Sequence, residues 1–167
     1  SMDIKHKECF APQFINHFDL QAVSKYAREV WEFVNLYSTT RGVNRFNAVT
    51  RALDLLSERP EVRERGVEPI RLEGLRDWVA RETKLGDATL REEVAVNPNE
   101  DLKRVFAWSE DVNQTIAKIV RNVPPFPSFR RAMEKIAEAA DAIVCSQTPV
   151  AALEREWDEH GISSSVR

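Results

Sequence analysis

The 167-residue chain has only two cysteines, Cys9 and Cys145, and their separation matches no metal-binding or CxxC spacing. Both are therefore predicted to be small buried hydrophobic side chains in a reducing compartment, which indicates a cytoplasmic location. No apolar run approaches the roughly 20 residues of a membrane span, and the N-terminus lacks the pattern of a signal peptide. The sequence thus disfavours membrane proteins and disulfide-stapled secreted proteins.

An excess of positive charge is also missing. The chain carries 24 Lys and Arg against 27 Asp and Glu, a net charge of −3. Without a basic surplus to bind a phosphate backbone, we expect no nucleic-acid partner. Four Trp and eight Phe supply enough apolar surface for a core. These features predict a soluble globular protein and leave its oligomeric state open.

Apolar residues recur at three- and four-residue steps through most of the first 120 residues, which predicts an all-helical bundle. The predicted helices cover residues 21–37, 45–57, 71–84, 87–96 and 100–120. Their apolar faces include Trp31, Trp78 and Trp108, which are predicted core residues. Asp87 is predicted to cap the fourth of these helices. An earlier short helix is predicted to end before Pro12.

The character of the sequence changes at VPPFP, residues 123–127. Three prolines in five residues cannot continue a helix, so they predict a linker between residues 1–122 and 123–167. Beyond it the sequence predicts a helix, a short strand at residues 142–145, and a second helix. A strand without charge is typical of a parallel strand buried on both faces.

Ser146 would lie just past the carboxyl end of this strand, where open α/β sheets place functional side chains. A hydroxyl beside a helix N-terminus suits a phosphate group. The alternative is that Ser146 or Thr148 only caps the helix that begins at Pro149.

The C-terminal part of the sequence resembles a known protein family. The segment PPFPSFRRAMEKIAEAADAIVCSQTPVAALEREW resembles the second-motif region of the haloacid dehalogenase-like (HAD) phosphohydrolases. Those proteins run Pro-Phe-Pro-Gly, a helix, and a hydrophobic strand ending in Ser or Thr. Ser128 stands where the family usually has Gly.

Two upstream segments strengthen the resemblance. RGVNRFNAVTRAL is similar to the Gly-x-Ser-Arg segment in the helical cap of the β-phosphoglucomutase and phosphoglycolate-phosphatase branch, with Gly42, Asn44 and Arg45 as the matching residues. SMDIKHKECF resembles the stretch after the first motif, where His6 and Phe10 would be the His–aromatic pair, one residue out of register.

The resemblance implies an α/β fold in which a HAD-like Rossmannoid core, only partly present, carries a large all-helical cap; this chain is itself predominantly α. Residues 1–122 would be linker and cap, and residues 123–167 part of the core. The implied function is a Mg²⁺-dependent phosphatase that acts on a small phosphorylated metabolite through an aspartyl-phosphate. Ser146 would bond a phosphoryl oxygen. The implied substrate-binding residues are Arg41, Asn44, Arg45, Gln147 and His6.

The family's Asp-x-Asp nucleophile motif does not occur in the sequence. It is expected before Ser1, and the Mg²⁺ ligands are likewise expected outside this chain, so the chain by itself is predicted to be inactive. The reaction type remains open between a phosphatase, a mutase and a carbon–phosphorus or carbon–halogen hydrolase. It also remains open whether Arg41 and Arg45 bind substrate or are solvated residues of the loop. The alternative function is a non-enzymatic helical interaction or dimerisation module.

Overall fold

A computed structural model describes residues 2–146, 148 and 150–166 of the chain. Helices dominate these residues and none of them forms a strand, which confirms the predominantly helical character of the chain. The chain divides into two compact units, Ser1–Val120 and Arg121–Arg167. The division falls just before the proline-rich segment.

The first helix, α1, continues through Pro12, so the predicted stop at that residue is wrong. It is unbroken over Met2–Ile4, Lys5–Phe10 and Ala11–His17, and its middle segment is π-helical. Pro12 lacks an N–H, and its ring would collide with the carbonyl of Glu8 in a regular α-helix. The wider π turn, in which the Ala11 N–H bonds the carbonyl of His6, accommodates the proline.

Except for the short helix at Pro60–Glu64, which lies outside the predicted helices, the remaining helices of the first unit follow the predicted periodicity. After a 3₁₀ turn at Gln21–Val23, α2 runs through Ser24–Glu32 and a second π segment, Phe33–Tyr37. The others are α3 (Arg45–Glu58), α4 (Pro60–Glu64), α5 (Glu73–Arg81), α6 (Asp87–Val96) and α7 (Glu100–Ile119).

Aromatic side chains form the centre of this bundle. Trp31, Trp78 and Trp108 are each 0% exposed, which confirms them as core residues. Trp31 of α2 and Trp108 of α7 meet edge to face with ring centroids 5.9 Å apart, and Trp78 packs in the same geometry against Phe46 at 5.3 Å. Edge-to-face contacts of this kind add to the stabilisation from burial alone.

The second unit contains α8 (Phe129–Ala137), α9 (Val150–Glu159) and a 3₁₀ turn at Ser163–Ser165. The predicted buried strand at residues 142–145 is wrong for this structure, because these residues are irregular and Ile143 is 79% exposed. The predicted burial is confirmed for Cys9 but wrong for Cys145, which is exposed. A strand needs neighbours for its backbone hydrogen bonds. No other strand lies in residues 2–146, 148 and 150–166 to supply them.

Across the part of the chain that the structure describes, each helix falls short of the length or hydrophobicity that a bilayer crossing requires.

Neighbouring leucines on α3 test the packing of the bundle. Leu56 is 0% exposed, whereas Leu55 lines a surface groove beside Val30 and Phe33. We expect Leu56→Ala to lower the free energy of unfolding by about 2–5 kcal/mol through lost burial and a residual cavity. Leu55→Ala, the matched control, should cost less than half as much. Urea unfolding followed by tryptophan fluorescence measures both, and equal losses would contradict the packing.

Candidate functional site

The loop that resembles the cap motif leads into the N-terminus of α3. Gly42 has a φ of +83°, a left-handed conformation that favours glycine. Asn44 then caps α3, because its Oδ1 accepts a hydrogen bond from the Phe46 N–H at 3.0 Å. Its Nδ2 donates to the carbonyl of Leu85 at 3.1 Å. Asn44 therefore holds the start of α3 next to the segment that precedes α6.

Arg45, the first residue of α3, turns inward, and its side chain is only 18% exposed. Its Nη1 donates to Ser109 Oγ and to Asn113 Oδ1, each at 2.9 Å. Asp87 Oδ2 lies 3.9 Å from the same nitrogen. Arg45 is thus bound to α7 and paired electrostatically with α6, and is not a solvated loop residue.

Asp87 completes this polar cluster. Its Oδ1 accepts a hydrogen bond from Ser109 Oγ at 2.6 Å, and its Oδ2 accepts one from Asn113 Nδ2 at 2.7 Å. We call Arg45, Asp87, Ser109 and Asn113 the Arg45 cluster. The predicted helix cap at Asp87 is wrong, since Gly86 occupies the cap position and Asp87 begins the helix.

An aromatic stack lies on the other side of Arg45. The Arg45 Cζ is 5.0 Å from the centre of the Phe10 ring, within the range of a cation–π contact. Phe10 stacks on His6 with centroids 4.8 Å apart. Trp31 Nε1 donates to His6 Nδ1 at 3.3 Å, which leaves the proton of the neutral imidazole on Nε2.

Burial and nearby cations keep His6 neutral. Desolvation, followed by repulsion from Arg45, lowers the pKa of His6 from 6.5 to about 4; Lys5 and Arg41 act in the same direction and Asp3 opposes them. Desolvation also lowers the pKa of Arg45, and the Asp87 carboxylate opposes that shift. The cluster thus keeps one partly buried cation beside an uncharged imidazole.

Arg41 lies in the loop itself. It is exposed, and its Nη1 donates to the carbonyl of Leu36 at 3.0 Å. Four of the predicted site residues, His6, Arg41, Asn44 and Arg45, therefore meet at one end of the bundle.

Ser146 belongs to the second unit. Its Oγ accepts a hydrogen bond from the Thr148 N–H at 3.0 Å, in a turn just ahead of α9. This bond uses the oxygen of the hydroxyl as an acceptor, as in the helix-capping alternative. Gln147 lies outside the described residues. No group of three or more His, Cys, Asp or Glu side chains able to hold a metal ion occurs within residues 2–146, 148 and 150–166.

Sequence reasoning missed Ser109, Asn113 and the ion-pairing role of Asp87. One feature of the sequence could have indicated Ser109, because this serine interrupts the apolar face of α7 between Val105 and Val112. It is 0% exposed, and a hydroxyl buried on such a face needs a hydrogen-bond partner.

No protein-family model matches the chain, and neither a curated protein nor a solved structure matches it. The family resemblance therefore rests on the sequence motifs alone and stays a prediction.

The lowered pKa of His6 predicts that acid destabilises the fold. The unfolded chain takes up a proton near pH 6.5 and the folded chain only near pH 4, so the unfolded state binds more protons between these values. From pH 7.5 to pH 5 we expect His6 alone to lower the free energy of unfolding by about 2 kcal/mol. Urea unfolding at the two pH values measures the change.

The variant His6→Gln should lose this part of the pH dependence, whereas the control His160→Gln should retain it. An NMR titration in which the His6 ring takes up a proton near pH 6.5 would refute the prediction.

Proposed function

We propose that this chain is a segment of a haloacid dehalogenase-like phosphohydrolase, in which residues 1–122 form the helical cap and residues 123–167 contribute part of the α/β core. The observation that carries the proposal is Arg45, a guanidinium held in place through Nη1 at the end of the bundle where the cap motif was predicted. A fixed cation of this kind suits a substrate phosphate.

The electrostatic surroundings of Arg45 support the same conclusion. Lys5, Arg41 and Arg45 all disfavour a charged His6, and only Asp3 opposes them. The helices α3 and α6 begin next to each other, because Asn44 bonds the carbonyl of Leu85. Their N-terminal dipole ends add positive potential to this region. The carboxylates of Asp3 and Asp87 offset part of this potential, and the three cations still leave an excess of positive charge that favours an anionic ligand.

In the proposed reaction an aspartate of the complete protein attacks phosphorus and forms an aspartyl-phosphate, which water then hydrolyses. Ser146 would donate its hydroxyl proton to a phosphoryl oxygen, since the hydrogen bond from Thr148 uses only the oxygen of that hydroxyl. Mg²⁺, bound outside this chain, would neutralise phosphoryl charge. In the cap, Arg45 would bind an anionic group of the substrate.

A second candidate is a helical interaction or dimerisation module. It is favoured by the exposed apolar side chains of the second unit: Phe126 is 88% exposed, Ile143 79% and Val150 69%. Large exposed apolar groups mark surfaces that bind another chain. In the phosphohydrolase proposal the same residues pack against the rest of the α/β core.

A phosphatase assay with Mg²⁺ and 4-nitrophenyl phosphate distinguishes the two candidates. It is run on this chain and on a version extended at both ends. We expect hydrolysis only by the extended protein, because the Asp-x-Asp motif does not occur in this sequence and the described residues contain no group of three or more possible metal ligands. No hydrolysis by a correctly folded extended protein, together with a dimer of this chain in solution, would support the interaction module instead.

Within that assay Ser146→Ala is the informative variant. Loss of one preorganised donor to the phosphoryl group should lower kcat about 100-fold with an unchanged melting temperature. Ser164→Ala replaces an exposed serine of the same unit and should leave kcat unaltered.

Arg45→Lys tests the role of the cap. Lysine keeps the charge but cannot bind two oxygens in the fork geometry of a guanidinium. In the extended protein we expect KM to rise about tenfold, with kcat changed less than KM. Arg76→Lys is the matched control, since Arg76 also bridges two helices through its pair with Asp54. Equal effects of the two variants on KM would reduce Arg45 to a structural role.

A further inference from the structure

Several arginines of the first unit pair with a carboxylate on another helix, and two of them, Arg45 and Arg76, do so in different ways. Arg76 of α5 forms a direct two-pronged pair with Asp54 of α3, with Nη2 to Oδ1 at 2.7 Å and Nη1 to Oδ2 at 3.2 Å. Arg45 makes no such pair with Asp87, whose nearest contact to the guanidinium is 3.9 Å.

The interaction between Arg45 and Asp87 is instead relayed. Ser109 accepts a hydrogen bond from Arg45 Nη1 and donates its own proton to Asp87 Oδ1. Asn113 forms a second link of this kind: its Oδ1 accepts a hydrogen bond from Arg45 Nη1, and its Nδ2 donates one to Asp87 Oδ2. Both carboxylate oxygens of Asp87 are therefore occupied by the relay groups, which hold Nη1 in place.

This arrangement leaves one edge of the guanidinium uncommitted. Among the described residues, the hydrogen bonds found for the Arg45 guanidinium all use Nη1, and neither Nε nor Nη2 is among the buried side-chain atoms that lack a partner. The Nε and Nη2 hydrogens point in the same direction and form the fork that binds two oxygens of a phosphate or carboxylate. The Phe10 ring lies against the guanidinium, with its centre 5.0 Å from Cζ.

We propose that Asp87 is a positioning residue that acts through Ser109 and Asn113 to fix Arg45, so that its Nε–Nη2 edge binds the phosphate group of the substrate. The proposal rests on the proposed function. It assigns to α6 and α7 a role in substrate specificity, although neither helix contains a residue matched to the family motifs.

The experiment uses this chain, inorganic phosphate and NMR of its arginine side chains. In the wild type we expect the Arg45 Nη1 hydrogens to give resolved signals because the relay slows rotation of the group, and phosphate should shift the Arg45 Nε–H signal. Asp87→Ala should merge the resolved signals and weaken phosphate binding about tenfold. The matched control Asp54→Ala should alter Arg76 signals and leave the Kd for phosphate within twofold.

Two further variants keep the test decisive. Should Asp87→Ala fail to fold, Asn113→Ala removes one relay group at an exposed position and should weaken phosphate binding about threefold. In an Arg45→Lys background, Asp87→Ala should have no further effect on the Kd, because Asp87 acts only through Arg45.

The outcomes separate the inference from the proposed function. In one outcome phosphate shifts the Arg45 Nε–H signal, but Asp87→Ala and Asn113→Ala leave the Kd for phosphate unchanged. This result overturns the positioning role of Asp87 and leaves the proposed function standing. A folded wild type in which phosphate shifts no Arg45 signal overturns the proposed function, and with it the inferred ligand.

Discussion

The arrangement of the helical bundle depends on one partly buried cation. Arg45 begins α3, contacts the Phe10 ring of α1, and bonds to α7 beside the carboxylate of α6. A charge removed from water requires partners, because an unpaired one costs several kcal/mol. Ser109 and Asn113 are four residues apart and therefore share one face of α7. By bonding the two oxygens of Asp87 separately, they fix the register of α6 against α7.

The same cation adds to desolvation in keeping a histidine in α1 uncharged. His6 stacks on Phe10, which lies against Arg45, so an imidazolium would place a second positive charge beside the first. The hydrogen bond from Trp31 selects the neutral tautomer with an acceptor at Nδ1. His6 and Phe10 both lie in the π-helical segment Lys5–Phe10, and Pro12 is the residue that makes a regular α-helix unfavourable there.

The helices and the tryptophan core could be predicted because they follow from local periodicity, which each segment carries by itself. The loop end at Gly42, Asn44 and Arg45 was predicted from its resemblance to the family motif. The hydrogen-bond relay through Ser109 and Asn113 could not be predicted, because it joins residues that lie 22 to 68 positions apart in sequence. Whether these residues meet depends on how α3, α6 and α7 pack. The strand at residues 142–145 failed for a related reason: an apolar run specifies burial, but a strand also requires a pairing partner.

The contrast between Arg45 and Arg76 bears on function as well as on packing. A direct two-pronged pair such as that of Arg76 with Asp54 satisfies both charges with each other and leaves the guanidinium little capacity for a ligand. If Arg45 served only to hold the helices together, a direct pair of this kind or apolar residues of similar volume would stabilise the bundle equally well. The relay instead holds the Asp87 carboxylate near the cation, where it opposes the lowering of the Arg45 pKa by desolvation, and it uses only one nitrogen of the guanidinium. A guanidinium held in this way is organised in advance for an oxyanion, which lowers the entropic cost of binding one.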